Sequence, residues 1–344
     1  MELALYCPDC GYYEKEDDNI GRRGDFYTSV SVGPLFGELL AFQFAGWLAE
    51  LETFPLQIVE AGAHDGKLGR DILRWFRQYR PRLFDSIEYV ICEPSARYRR
   101  RQRDTLKEFA HQVRWLDADV IRPKDRFSGV IFANELMDAM PTHRVGWDAR
   151  QHAWFEWGVT AAADSFIWSR MNSSKILSAK SSVSQRLTKL QDELLDVLPD
   201  NFATELCPAA EYWWRNAGRA LQRGRLLTLD YGLPAEEFFS PQRSNGTLRA
   251  YHRHRLCKDL LANVGEQDLT AHVNFSAIQE VGESIGLRTE AFTTQSDFLG
   301  QIMKQFWPEA EDHGGWTANR SREFQTLVHP EHLGRAFRVL VQSR

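Results

Sequence analysis

The chain has 344 residues, with 42 Lys and Arg against 47 Asp and Glu, a formal net charge of −5. That balance offers no global attraction to nucleic acid, and a chain of this length buries a large core as one elaborated domain or two. No apolar run approaches the roughly 20 residues of a membrane helix, and the polar N-terminus looks like neither a signal nor a transit peptide. The five cysteines, Cys7, Cys10, Cys92, Cys207 and Cys257, are odd in number and scattered. A disulfide framework is therefore not expected, and a reducing compartment is the simpler assumption.

Cys7-Pro-Asp-Cys10 comes first in chain order. Cys-x-x-Cys is half of a zinc site or a redox pair. No second Cys-x-x-Cys or nearby His pair completes it, and it precedes the sheet instead of sitting on a thioredoxin-like helix, so neither metal nor redox use is expected. Gln57 to Gly66 then reads as a short apolar strand that ends in an acid, Glu60, and opens into a turn holding Gly62, His64 and Gly66. Such a turn brings backbone close to a nucleotide-like ligand and presents helix N-terminal amides to it. Leu68, Ile72, Trp75, Phe76 and Tyr79 follow at near-helical spacing, which predicts a helix over Lys67 to Tyr79. A dinucleotide fingerprint needs Gly-x-Gly-x-x-Gly, which is absent; an acid two residues before the first Gly points instead to a methyltransferase. The bland alternative is an ordinary strand-to-helix turn.

A second strand, Glu88 to Cys92, ends in Glu93, an acid placed to accept hydrogen bonds from both ribose hydroxyls of an adenosine. A basic helix is expected from Ser95 to Phe109, then a third strand, Val113 to Leu116, closing in Asp117-Ala118, where an Asp is placed to accept from an adenine amino group. The fourth strand, Gly129 to Ala133, ends in Asn134-Glu135-Leu-Met-Asp138-Ala-Met-Pro141. Four strands ending in polar residues and separated by helices bring those residues to one sheet edge. From Thr142 to Ser169 polar and apolar residues alternate around Trp147, Trp154 and Trp168, which predicts an antiparallel meander. Val183, Leu187, Leu190, Leu194 and Val197 form a helical stripe, and a second helix precedes Gly224. Arg225 to Leu229 is the fifth strand, ending in Asp230-Tyr231-Gly232. Leu233 to Asn274 is long, little periodic, and holds Tyr251-His-Arg-His-Arg255, so an active-site lid is expected there. Ser276 and Gln279 have capping-box spacing for a helix ending near Gly286. Leu287 to Phe292 and Phe337 to Val341 complete seven strands.

Taken together, these stretches resemble the MidA-like methyltransferases, which include a mitochondrial arginine methyltransferase that assists respiratory complex I assembly. The matching residues are Ala4-Leu-Tyr, Gly11-Tyr-Tyr, Gly24-Asp-Phe-Tyr-Thr-Ser29, Pro34-Leu-Phe-Gly37, the Glu60 turn and Asn134 to Pro141. Asp230-Tyr-Gly232, Gly246-Thr-Leu-Arg-Ala-Tyr251 and Asp268 to Phe275 continue the series nearly to the end of the chain, in the family's order. One departure stands out, because His64 occupies the place of the usual middle Gly of the first turn.

The resemblance implies an α/β, Rossmann-like class I methyltransferase fold, a seven-stranded, mostly parallel sheet flanked by helices, with helical and β-meander insertions. It divides the chain into a motif segment and first helix (1–50), a cofactor-binding core (51–141), the insertion (142–223) and the second half of the sheet with the lid (224–344, lid 233–274). It implies S-adenosylmethionine as cofactor, held by Glu60, Gly62, His64, Gly66, Glu93, Asp117, Ala118 and Asn134, and no metal. It also implies that Asp25, Thr28, Ser29, Asp230 and Tyr231 line the acceptor pocket. The location expected is cytoplasmic if Met1 is the true start and the mitochondrial matrix if an upstream segment precedes it.

The sulfonium of the cofactor is already activated, so the protein must align a nucleophile and exclude water. If the acceptor is an arginine, its delocalised, protonated guanidinium is a poor nucleophile, and carboxylates held against two of its nitrogens orient it and localise the charge. Glu135 and Asp138 are the candidates, on one side if a helical turn begins there; bracing of that turn by Asp138 is the alternative. His143 and His272 are candidates to touch acceptor or take up a proton, with a structural role as the alternative. Three readings follow: an arginine methyltransferase with a complex I subunit-like acceptor; a methyltransferase for another protein, a small molecule or RNA; and, on the strength of His64, an assembly factor that keeps the fold without the chemistry. Neither membrane insertion nor nucleic-acid binding is expected.

Overall fold

The computed structural model describes residues 1–15, 28–52, 55–118, 120–178, 182–252, 255–312 and 316–344. In chain order its strands are β1 (Leu56–Ala61), β2 (Ile87–Cys92), β3 (Val113–Leu116), β4 (Phe127–Asn134), β5 (His143–Asp148), β6 (Ala153–Ala162), β7 (Ser165–Arg170) and β8 (Ala203–Leu206). There follow β9 (Leu221–Leu233), β10 (Arg249–His252), β11 (Arg255–Cys257), β12 (Asp268–Thr270), β13 (Val273–Asn274), β14 (Arg288–Thr294) and β15 (Phe337–Ser343). The chain forms two compact units.

One unit comprises Tyr27–Leu136, Trp213–Tyr231 and Ile278–Arg344. Its strands lie in the order β14-β15-β9-β4-β1-β2-β3. β9, β4, β1, β2 and β3 are mutually parallel, while β15 runs antiparallel to both its neighbours. This is the seven-stranded, mostly parallel sheet expected. Every residue of β1 is buried, because helices cover both faces of a parallel sheet and leave no wet side for alternation. The helix Leu35–Ala49 buries ten of its fifteen residues and, with Lys67–Tyr79, Gln295–Asp312 and Ala318–Val328, packs Leu39, Phe44, Ile72, Phe76, Phe298 and Leu327 onto Ile58, Val130 and Val339. Each such side chain contributes about 1.5–3 kcal/mol on burial.

The chain leaves β1 towards β2 and β3, then returns to β4 on the opposite side of β1. That reversal makes a crevice at the carboxyl ends of β1 and β4, where doubly wound sheets bind ligands. Register aligns Ala61 with Cys92 and Ala133, and Cys92 with Leu116. The residues that follow these strands therefore share one edge.

The other unit comprises Met1–Phe26, Met137–Tyr212 and Gly232–Ala277. It contains an antiparallel sheet β7-β6-β5-β8 and a smaller one, β11-β10-β12, while β13 pairs with Gly232 and Leu233. The meander is therefore present, with β8 added to it. β8 has no alternation to betray it, since all four of its residues are buried. The single helical stripe over Val183 to Val197 is two short helices, Ser182–Leu187 and Asp192–Val197. Gln191 between them is extended (φ −67°, ψ 144°) and precedes the second without a side-chain cap hydrogen bond. Leu233 to Asn274 also departs from the irregular stretch anticipated. β10 and β12 bury Ala250 and Leu269 against Ala4, Leu5 and Tyr12 in a core of their own. Ser276 does not form the capping box. Asn274 Oδ1 accepts from Ala277 N–H at 3.1 Å instead, and Ser276 Oγ accepts from Ala235 N–H. No helix among the described residues is long and apolar enough to cross a membrane.

Candidate functional site

Gly62 and Gly66 sit at φ +74° and +81°, in the left-handed region that favours glycine. A Cβ on Gly62 would lie 3.0 Å from Leu136 Cδ1, and one on Gly66 would lie 3.3 Å from Gln102 Cα. His64 enters the same region at φ +46° without being glycine. Its ring packs 5.3 Å from that of Tyr98, so the bulk that replaces the usual Gly leans on the helix Ala96–Thr105.

Glu93 is buried directly after β2. One carboxylate oxygen accepts from Ser95 N–H at 2.9 Å and the other from Gln102 Nε2 at 3.1 Å. Gln102 is wholly buried. It also donates to the His64 carbonyl at 3.0 Å and accepts from Trp115 Nε1 at 3.0 Å. One amide thus joins the first turn, the acid after β2 and the third strand. Sequence reasoning missed Gln102; the available signal was a polar residue at helical spacing from Tyr98 and Leu106, on the inward face of the helix Ala96–Thr105.

The remaining acids differ sharply in setting. Glu60 turns its carboxylate to the Tyr89 hydroxyl at 2.6 Å, beneath Gly69. Burial raises its pKa to about 7, against the opposing hydrogen bond from Tyr89. Asp117 is largely exposed and paired with Arg99 Nη1 at 2.6 Å, and the same nitrogen donates to the Glu93 and Pro94 carbonyls. The Ala118 carbonyl accepts from Cys92 Sγ. Asp230, fully buried, accepts from Leu136 N–H at 3.2 Å and from Tyr231 N–H at 2.8 Å, bracing the bend after β4. Tyr231 packs against Phe337 with ring centroids 4.0 Å apart.

At the end of β4, Asn134 buries its Oδ1 with no hydrogen-bond partner among the described residues. A buried amide oxygen without a donor costs free energy unless a ligand supplies one. Glu135 follows at φ +52°. Its Oε1 accepts from Ser29 N–H at 3.1 Å and from Asn134 Nδ2 at 3.0 Å. The helical turn that would align Glu135 with Asp138 does not form; 135–140 is a bend, and the positive φ rules out helix at Glu135. Thr28 caps the short helix Ser29–Val32, and Ser29 Oγ donates to Gln295 at 3.1 Å. Asp25 lies outside the described residues.

In the other unit Asp138 is buried, and its carbonyl accepts from Ala271 N–H at 2.9 Å. Burial, then the charges of Asp268, Tyr6 and Asp138, push the Tyr13 phenol well above its ordinary pKa. Tyr251 is raised as well, by burial and the same two carboxylates, against Arg249. His272 is driven down to about 4 by burial and by Arg243 and Arg249. Its ring is thus neutral near pH 7, and Nδ1 has no partner among the described residues. It suits hydrogen bonding better than proton storage. His143 is held by Glu156 at 2.7 Å. The described residues contain no group of three or more His, Cys, Asp or Glu able to hold a metal ion.

The switch-point crevice fits a nucleoside bearing an amino acid. It has an oriented carboxylate at Glu93, left-handed glycines in the turn, and an unpartnered acceptor at Asn134. Comparison with known proteins agrees. Residues 39–293 match the model of a family described as "Putative S-adenosyl-L-methionine-dependent methyltransferase". The crystal structure of a COG1565 superfamily member from Burkholderia thailandensis, bound to S-adenosyl-homocysteine, is 32% identical with a TM-score of 0.82, over 100% of this chain and 86% of that one. "Protein arginine methyltransferase NDUFAF7, mitochondrial" of Danio rerio is 25% identical over 98% of this chain and 80% of its own. The Homo sapiens protein of the same name is 28% identical over 82% and 64%. The match to the Drosophila melanogaster homologue covers 66% of that protein's length. With the fold, the crevice and these matches in agreement, the chain belongs to this family of S-adenosylmethionine-dependent methyltransferases.

Proposed function

We propose that the chain methylates an arginine of an acceptor protein. The observation that carries this reading is Glu135, a carboxylate fixed by two hydrogen bonds beside the switch-point crevice. S-adenosylmethionine, when bound, supplies an activated methyl group. Glu93 holds the ribose, Asn134 Oδ1 accepts from the amino-acid end, and the backbone of Gly62, His64 and Gly66 lies along the cofactor. Glu135 orients the guanidinium and draws its positive charge away from the attacking nitrogen. Asp138, in its setting of tyrosines and Asp268, suits a cation as well. The names of the NDUFAF7 relatives support arginine as the acceptor. A complex I subunit is the first acceptor to try, by the family resemblance, and a protein surface explains insertions of this size better than a small molecule does.

Glu135→Gln keeps the shape of the side chain and removes its charge. Affinity for S-adenosylhomocysteine should stay within about twofold, while transfer to an acceptor protein falls by about 100-fold or more, the range for losing an electrostatic stabiliser. Equal loss of binding and transfer would move Glu135 into the cofactor site. Absence of transfer by the wild-type protein, together with capture of a complex I subunit, would establish the non-catalytic alternative.

A further inference from the structure

The sequence around Cys7 and Cys10 predicts neither metal nor redox use, yet the turn that joins them is tightly closed. The Cys7 carbonyl accepts from Cys10 N–H at 3.3 Å and from Gly11 N–H at 2.7 Å. An i to i+3 turn of this kind holds its outer Cα atoms within about 7 Å, which overlaps the span of a disulfide. Cys10 is exposed and Cys7 half-buried, so small molecules reach the pair. The other three cysteines face backbone carbonyls: Cys92 that of Ala118, Cys207 those of Met140 and Pro141, and Cys257 that of Arg255.

The surroundings hold the turn in this shape. A Cβ on Gly11 would lie 2.5 Å from the Cys7 nitrogen, and one on Gly265 would lie 2.4 Å from the Cys10 carbonyl oxygen. On either side of the turn Tyr6 and Tyr13 stack with centroids 5.5 Å apart. Tyr13 donates to Asp268 at 2.9 Å and Tyr6 to the Ala139 carbonyl at 2.9 Å. Bond formation between the sulfurs therefore needs side-chain rotation and little backbone movement.

We propose that Cys7 and Cys10 form a reversible thiol–disulfide pair, closed by exchange with a low-molecular-weight disulfide such as oxidised glutathione and reopened by the matching thiol. Cys7 is the attacking sulfur: hydrogen bonds from the Asp9 and Cys10 amides and from the Cys10 thiol hold its pKa below the ordinary value, while Cys10 is raised. The Cys7 thiolate attacks one sulfur of the glutathione disulfide, breaking its S–S bond and releasing one glutathione thiolate. The Cys10 thiolate then attacks Cys7 in the mixed disulfide and expels the second. Two protein thiols are oxidised, one disulfide is reduced, and the two protons lost from Cys7 and Cys10 end on the two glutathione thiols. Closure locks the turn on which Tyr6 and Tyr13 meet, so the oxidised chain has a stiffer tyrosine platform beside Asp268.

The test is equilibration of the full chain in glutathione buffers of increasing oxidation, an acid quench, alkylation under denaturing conditions, and mass analysis of the peptide holding both cysteines. Loss of alkylation at Cys7 and Cys10 together, with the mass of two hydrogens removed and Cys92, Cys207 and Cys257 still alkylated, is the expected result. Cys10→Ser should accumulate glutathione on Cys7 at least about fivefold more than Cys7→Ser does on Cys10. Two alkylated thiols in the most oxidising buffer would overturn the proposal, and so would glutathione adducts on wild-type Cys7 and Cys10 without ring closure.

Discussion

If Glu93 is the ribose acceptor and Gln102 its clamp, the two residues must be energetically coupled. Glu93→Ala removes a charged acceptor whose oxygens are aimed by Ser95 N–H at 2.9 Å and Gln102 at 3.1 Å. A hydrogen bond to a charged group contributes about 1.5–3 kcal/mol, so the Kd for S-adenosylhomocysteine should rise about 10- to 150-fold. Gln102→Leu leaves the carboxylate in place but removes the amide donor to it and to the His64 carbonyl, and the acceptor of Trp115 Nε1, a loss of about 1 kcal/mol, or roughly fivefold in Kd. Once Glu93 is gone, only the His64 and Trp115 parts of that loss remain, so the double variant should fall short of additivity by about 0.5 kcal/mol or more. Isothermal titration of the four proteins measures the cycle, with thermal unfolding of each apoprotein as the folding control. Unchanged affinity in Glu93→Ala refutes the ribose assignment, and full additivity refutes the clamp.

Glu60 supplies a pH test. Its folded pKa of about 7 lies above the ordinary 4.5, so between those values the folded chain binds a proton that the unfolded chain has lost. The contribution of Glu60 is fully present below about pH 4.5 and disappears as pH rises through 7, at about 1.4 kcal/mol per unit. Urea unfolding from pH 5 to 8 should show the wild type losing about 2–3 kcal/mol relative to Glu60→Gln; parallel curves would sink the idea. A second experiment addresses the lid expected over Leu233 to Asn274. Amides of β10 and β12 should be protected from hydrogen exchange in the free protein, because the strands are paired and Ala250 and Leu269 are buried. Slowing on addition of cofactor and acceptor peptide should fall within 255–266, where Leu256 and Val264 are exposed. Exchange indifferent to both would make the segment a structural insertion and direct the search for the acceptor surface to the β5–β7 meander.

The parallel sheet was legible because its strands are largely apolar runs that stop at a polar residue, and β1 and β2 each lead into a helix. Lys67 to Tyr79 is the clearest case, predicted and found with the same bounds. The insertions were less legible for a physical reason: their elements are short and their order comes from tertiary pairing. β8, β10 and β12 have three or four residues each, too few for a period, and β8 is buried throughout.

The site was legible in position and not in role. Glu60, Glu93, Asp117 and Glu135 all follow or end parallel strands, and pattern alone assigns them to one ligand-bearing edge. The donors around each acid are what separate them, and those donors come from distant sequence. Glu60 faces Tyr89 under a helix, Asp117 is neutralised by Arg99 at the surface, and Asp230 braces the bend at Leu136. Glu93 and Glu135 each accept from two neutral donors of their own unit, which give the carboxylate a direction. A site that must meet two hydroxyls with one acid and a cation with another needs carboxylates of fixed direction. On this criterion the two acids that follow β2 and β4 are the pair on which cofactor and acceptor binding should turn. Gln102, invisible to any motif, sets the aim of the first.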